Sequence, residues 1–245
     1  MTVTFSKLGT YGQRGNMLFQ IAATIGYAKK YKVPYIFPKW EHQNEFAISD
    51  EYFVNINKIK FDNTYKESNF RYNKIPFKKN CDLFGYFQSC KYFDNCTNYI
   101  KECFEFKNPE NHNKYKDICA IHIRHGDYIK FFDYHSIQTM KYYNEAMKKI
   151  PCEKYIIFSD DIKWCRKNFI GNQFIINETG SSVIDFKLMS ACNHFIIANS
   201  SFSWWAAWLS KHSNKVIIAP NNWFGPKLKK LNPIDDLIPT DWILI

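Results

Sequence analysis

The chain has 245 residues, enough for a large buried core and one or two domains. An aromatic share of 18% argues against a disordered chain, and a formal charge of +10 fits a solvated lysine-rich surface first and an anionic partner second. The lysines are scattered, with no tract suited to nucleic acid, and no apolar stretch reaches membrane-span length, so neither a nucleic-acid partner nor a spanning helix is expected.

The N-terminus runs straight into a strand-like segment, Val3–Phe5, with no sign of a secretory leader. Lys7 to Gly15 carries Gly9, Gly12 and Gly15, which predicts a loop with room for close backbone approach to a ligand. From Asn16, a good helix cap, the series Leu18, Ile21, Ala22, Ile25 and Ala28 has helical spacing. A strand at Tyr35–Phe37 follows, which makes a βαβ opening. Residues 40–115 show few clear periods. Leu83–Ser89 reads as a strand running into a loop, and Tyr92–Phe106 as a helix. This half is expected to supply part of an acceptor cleft, with Tyr86 and Gln88 as contacts. A polar linker over Asn108–Lys116 sets the expected domains at 1–115 and 116–245. The eight cysteines, from Cys81 to Cys192, include no C-x-x-C pair and no zinc-finger spacing. Reduced thiols and a cytoplasmic protein are therefore expected; disulfides among Cys81, Cys90, Cys96 and Cys103 would need an oxidising compartment.

The second half is clearer. Strands are predicted at Ile118–Ile123, Tyr155–Phe158, Phe174–Ile176, Phe195–Ala198 and Val216–Ala219. Helices are predicted near Met140–Ile150, Ile162–Phe169, Val183–Ala191 and Ser203–Lys211. Such alternation means a parallel, Rossmann-like α/β sheet. Polar clusters follow the strands: Arg124-His125-Gly126-Asp127, Ser159-Asp160-Asp161, Asn177-Glu178-Thr179 and Asn199-Ser200-Ser201-Phe202-Ser203. In a parallel sheet these share the carboxyl edge, whereas the opposite turns, such as Gly171-Asn172 and Cys192-Asn193, are poor in such groups. Ligands bind at that edge in open α/β sheets. Ser203 is a candidate cap for its helix, whose N-terminus attracts anions. Arg124 suits bidentate contact with a diphosphate, or a salt bridge with Asp127. His122 points to the same face as Arg124; it is either a core histidine or a nucleotide contact. Asp160 and Asp161 divide between nucleotide contact and capping, and Asp185 starts a helix. No D-x-D triplet or carboxylate cluster suggests a metal, and no G-x-S-x-G elbow suggests a hydrolase.

Several of these segments carry a resemblance. Gly12-Gln13-Arg14-Gly15-Asn16-Met17-Leu18-Phe19-Gln20, Gly85-Tyr86-Phe87-Gln88-Ser89, His122-Ile123-Arg124-His125-Gly126-Asp127-Tyr128, Phe158-Ser159-Asp160-Asp161 and Asp185 to Trp205 occur in order. Together they resemble the α1,2-fucosyltransferases of glycosyltransferase family 11, and more loosely the α1,6- and protein O-fucosyltransferases. The resemblance implies a GT-B-like fold of two Rossmann-like domains with the donor site in the cleft between them. It implies inverting, metal-independent and cofactor-free transfer of L-fucose from GDP-fucose to the 2-hydroxyl of a galactose in a glycan; the basic charge would suit a lipid-linked acceptor at the inner face of a membrane. By that analogy the donor meets Gly15, Asn16, His122, Arg124, His125, Asp160, Asp161, Asp185, Asn199, Ser200, Ser201, Phe202 and Ser203. Arg124 and the serines hold the diphosphate, and His122 with an aspartate faces the guanine. Asn16 reaches the leaving oxygen or the fucose, and Asp127 is the candidate base unless it only fixes Arg124. Three positions depart from the pattern: His125 replaces a second Arg, Met17 a Gln and Arg14 an apolar residue. Arg14 or His125 is then the candidate substitute for the missing positive charge. Another linkage on the same fold, or a non-catalytic polyanion-binding relative, are the alternatives.

Overall fold

The computed structural model describes residues 1–230 and 232–245. The chain divides into two compact units: Met1–Pro109 with Pro233–Leu237, and Glu110–Asn232 with Ile238–Ile245. Each is taken by itself.

The first unit contains β1 (Val3–Thr4), α1 (Arg14–Tyr31), β2 (Tyr35–Ile36), β3 (Asn63–Lys66), β4 (Cys81–Phe84) and α2 (Thr97–Cys103). Its strands form a parallel sheet in the order β2-β1-β4-β3. Helix α1 is buried nearly all round, from Met17 to Ala28, so its apolar residues serve more than one face. It starts two residues before the expected cap. Gln13 is the N-cap, in extended conformation and without a side-chain cap bond. Asn16 lies inside the first turn and accepts a hydrogen bond from the Gln88 amide instead. The helix expected over Tyr92–Phe106 shrinks to α2, because Phe93 and Cys96 leave helical geometry and break the run into single turns. Strand β3 has no apolar alternation, which hid it from the sequence pattern.

The second unit contains β5 (Ile118–Ile123), α3 (Met140–Lys149), β6 (Lys154–Ser159), α4 (Ile162–Asn168), β7 (Phe174–Ile176), α5 (Ser182–Ala191), β8 (His194–Ile196), α6 (Ser201–Leu209), β9 (Ile217–Ala219), α7 (Pro226–Lys229) and β10 (Ile243–Leu244). The sheet is parallel throughout, in the order β10-β9-β8-β5-β6-β7. Read from β7, this is the doubly wound Rossmann order, and it reverses between β5 and β8. β5 pairs with β6 along its whole length, from Ile118 opposite Lys154 to Ile123 opposite Ser159. Cys119, Ile121 and Ile123 of β5 pack one sheet face against Tyr143 and Ala146 of α3 and Cys165 of α4, all fully buried. The loops after β5, β6, β7 and β8 therefore do share one edge. Trp204 and Trp205 of α6 are completely buried, so the tryptophan pair belongs to the core.

All eight cysteines are free. Among the described residues no helix is long and apolar enough to cross a membrane.

Candidate functional site

The reversal between β5 and β8 places two polar clusters side by side. The first grows from the end of β5. Arg124 leaves the strand half-buried and is gripped by two carboxylates: Asp127 Oδ1 accepts from one terminal nitrogen at 2.8 Å, and Asp160 Oδ2 takes the other at 2.8 Å. The planar fork is thus oriented at the sheet edge by one hydrogen bond to Asp127 and an ion pair with Asp160. Asp160 does more, since its Oδ1 accepts the His125 N–H at 2.8 Å. Gly126 allows the close approach, for a Cβ there would stand 2.5 Å from Asp160 Oδ2. Asp161 is the cap of α4, accepting from Trp164 N, and its other oxygen faces His125 Nδ1 at 3.2 Å. The Trp164 N–H in particular, together with His125, holds its carboxyl below the usual range despite some desolvation. The two aspartates divide their roles: Asp161 caps, and Asp160 sets the Arg124 loop.

His125, offered as one substitute for a second arginine, is 4% exposed and packs edge-on against Trp164 at 4.5 Å. Arg14, the other, is buried in the first unit and held by Glu45 and His42.

The second cluster grows from β8. Ser200, not Ser203, caps α6, accepting from Phe202 N. Ser203 lies inside the first turn, fully buried, and the helix starts two residues before the sequence suggests. Its hydroxyl meets His122 Nδ1 at 2.9 Å, bridging the ends of β5 and α6 across the reversal. Burial, with Arg124 adding to it, pushes His122 down to about 3, so the ring is neutral at physiological pH. Phe202 lies against both His122 and Phe186. Ser200 and Ser201 remain half-buried at the helix start.

Asn199 is 2% exposed, and its side chain is committed to the fold. It donates to Ser136 O and Trp223 O and accepts from Gln138. Asp185 is likewise occupied by its neighbours: Asn177 and Thr179 from the loop after β7 both donate to it, and Ser181 is the cap of α5. Tyr128, quoted above only within a motif, has a clear place in the structure. Its hydroxyl donates to Asn199 O at 3.1 Å, its ring stacks on His135 at 4.2 Å, and the Arg124 guanidinium lies 5.3 Å from the ring centroid. Its position directly after Asp127 was the available signal. Asn16, Gly15, Tyr86 and Gln88 lie in the first unit, where the first and last are joined by a 2.6 Å bond from Gln88 Nε2 to Asn16 Oδ1. Among the described residues, no group of three or more His, Cys, Asp or Glu could hold a metal ion.

A model of a known family, glycosyl transferase family 11, matches residues 28–245, which leaves the glycine loop upstream of the match. The chain belongs to glycosyltransferase family 11. The O-antigen biosynthesis glycosyltransferase WbnK of Escherichia coli is 34% identical over 188 residues, covering 67% of this chain and 62% of that protein. An α-1,2-colitosyltransferase of the same species is 32% identical, over 69% of this chain and 63% of the relative. The galactoside 2-α-L-fucosyltransferase SEC1 of Bos taurus matches at 30% identity over 37% of the chain and 28% of its own length. This family-11 chain thus spans less than two thirds of the curated relatives it matches. Among solved structures, the α-1,6-fucosyltransferase NodZ co-crystallised with GDP superposes with a TM-score of 0.55 at 13% identity, covering 84% of this chain and 91% of that one. POFUT1 in complex with GDP gives 0.53 at 12% identity, over 88% and 97%. The fold is that of the GT-B fucosyltransferases.

Proposed function

We propose that the chain is an inverting α1,2-fucosyltransferase that moves L-fucose from GDP-fucose to the 2-hydroxyl of a galactose in a glycan. One observation carries the reading: Arg124 is oriented by Asp160 at the carboxyl end of β5, beside Ser200 and Ser201 at the start of α6, at the strand reversal of a Rossmann sheet. A leaving diphosphate needs its growing charge met by fixed donors, and a guanidinium, hydroxyls and a helix start supply them without a metal or cofactor.

The grip of Asp127 on Arg124 gives the reading its mechanism. Asp127 is more exposed than Asp160, 53% against 26% by side chain. The diphosphate takes the Arg124 N–H that Asp127 holds in the free protein, while Asp160 keeps the fork in place. The released Asp127 carboxylate then serves the acceptor hydroxyl as base while the sugar inverts. Asp127→Asn should therefore bind GDP as well as or better than wild type and transfer far more slowly. If binding and transfer fall together, Asp127 only fixes Arg124.

The acceptor is a β-galactoside in an oligosaccharide or on a lipid carrier. The basic charge suits a lipid-linked acceptor reached from the inner face of a membrane. The test is an acceptor screen with GDP-fucose, reading product mass, linkage and released GDP with and without EDTA. GDP release that depends on a β-galactoside and ignores EDTA is expected. A product linked elsewhere than O2 would replace the linkage. Because one relative is named for colitose transfer, a colitose donor belongs in the same screen.

A further inference from the structure

The loop Gly85–Ser89 follows β4 in the first unit and carries Gln88, the partner of Asn16. Its shape depends on a residue outside it. Glu67, directly after β3, accepts the Tyr86 N–H at 2.7 Å and the Phe87 N–H at 3.0 and 3.1 Å through its two oxygens. Gly85 makes room, for a Cβ there would stand 2.4 Å from the Glu67 Cβ. Phe87 takes φ +51, in the left-handed region that a bulky residue occupies only where its surroundings hold it. Its ring is fully buried against Phe5 and Tyr92, so the residue is fixed on both sides: ring in the core, N–H on the carboxylate. The next residue is Gln88, 8% exposed.

We propose that Glu67 is the positioning residue of the Asn16–Gln88 pair: its carboxylate shapes the loop after β4 so that Gln88 presents Asn16 to the transferred sugar. This rests on the transferase reading proposed above and on the role at the donor that the family resemblance implies for Asn16. Glu67 is no general base, because both oxygens are turned to the loop. Charge on the carboxylate strengthens the two N–H bonds. Burial raises the Glu67 carboxyl to about 7 against the pull of those N–H groups. The titratable groups facing it are the phenols of Tyr11, Tyr65, Tyr86 and Tyr92, and burial pushes those of Tyr11, Tyr65 and Tyr92 up. An inflection near neutrality in this loop therefore belongs to Glu67.

The experiment compares wild type, Glu67→Gln, Gln88→Ala and the double variant. Readouts are kcat of transfer across neutral pH, GDP affinity by calorimetry, and the amide proton shifts of Tyr86 and Phe87. Wild-type kcat should rise with pH through about 7, and Glu67→Gln should be flat and on the order of 30-fold slower, at unchanged GDP affinity. The double variant should be no slower than Gln88→Ala alone. The two amide shifts should move together through about pH 7 in wild type and stay still in Glu67→Gln. A Glu67→Gln enzyme with full kcat and the wild-type inflection, or additive losses in the double variant, overturns the proposal. A wild-type protein that binds no GDP overturns the transferase reading alone. The amide shifts still decide the clamp, and their indifference to pH or to the substitution overturns it.

Discussion

The two sheets carry polar loops at the carboxyl ends of their strands and hold them by different means. In the second, strand order reverses between β5 and β8, whereas in the first β4 is inserted between β1 and the edge strand β3. In the second unit the loops are fixed side chain to side chain: Arg124 to two aspartates, His122 to Ser203, Asn199 to Gln138. In the first, one carboxylate, Glu67, takes the backbone N–H groups of a loop that includes a left-handed Phe87. The second-unit contacts are spread over several side-chain acceptors. A clamp on backbone fails as a unit when its single acceptor changes. The second-unit loops are thus held by many side chains, and the first-unit loop by one carboxylate.

The substitution expected to separate the two most sharply is Arg124→Ala. It should weaken GDP by roughly 100-fold, about 3 kcal/mol, and leave the first unit untouched. Calorimetry checks it; a change in the Tyr86 and Phe87 amides as well would mean the two units are not independent. Next is the buried bridge. Ser203→Ala removes the partner of a neutral, buried His122 and should destabilise by about 1–3 kcal/mol in a denaturant titration. The pH dependence of that bridge has a definite sign. A histidine pushed down to about 3 in the fold ionises more readily in the unfolded chain, so stability is present above its ordinary range and is lost as pH falls from about 6.5 towards 3. Replacing His122 with Asn should flatten that slope in acid.

Glu67 has the opposite sign. Its carboxyl is raised from 4.5 to about 7, so its contribution is full below pH 4.5 and is lost as pH rises to about 7. Glu67→Gln should melt no lower than wild type at pH 8 while it transfers more slowly, a stability–activity split that a purely structural carboxylate would not give. The smallest effect is the α4 cap. Asp161→Ala should cost about 1 kcal/mol, read as a modest fall in melting temperature. In wild type the cap's contribution is present above the ordinary aspartate range and fades as pH falls through the depressed value.

Much of the second unit was legible because its central strands β5, β6, β8 and β9 are mostly buried apolar runs, with polar residues gathered where they end. β5 matches its sequence reading residue for residue, and the edge asymmetry that pointed to a ligand site follows from parallel pairing. Helix starts were read less well. Asn16 and Ser203 have the composition of caps, but tertiary partners, Gln88 and His122, claim those side chains and move the helix starts upstream. Capping competes with long-range hydrogen bonding, and sequence spacing shows only the first. Glu67 was invisible for a related reason. It follows a strand without alternation, and its partners are backbone groups about 20 residues away that leave no trace in residue type.

The central claim is that the diphosphate of a guanosine sugar nucleotide sits on Arg124 at the reversal between β5 and β8. GDP titrated by calorimetry into wild type and into Arg124→Ala tests it most directly. The account predicts tight, EDTA-insensitive binding to wild type and a loss of about two orders of magnitude in the variant. Equal affinity for the two proteins would contradict it.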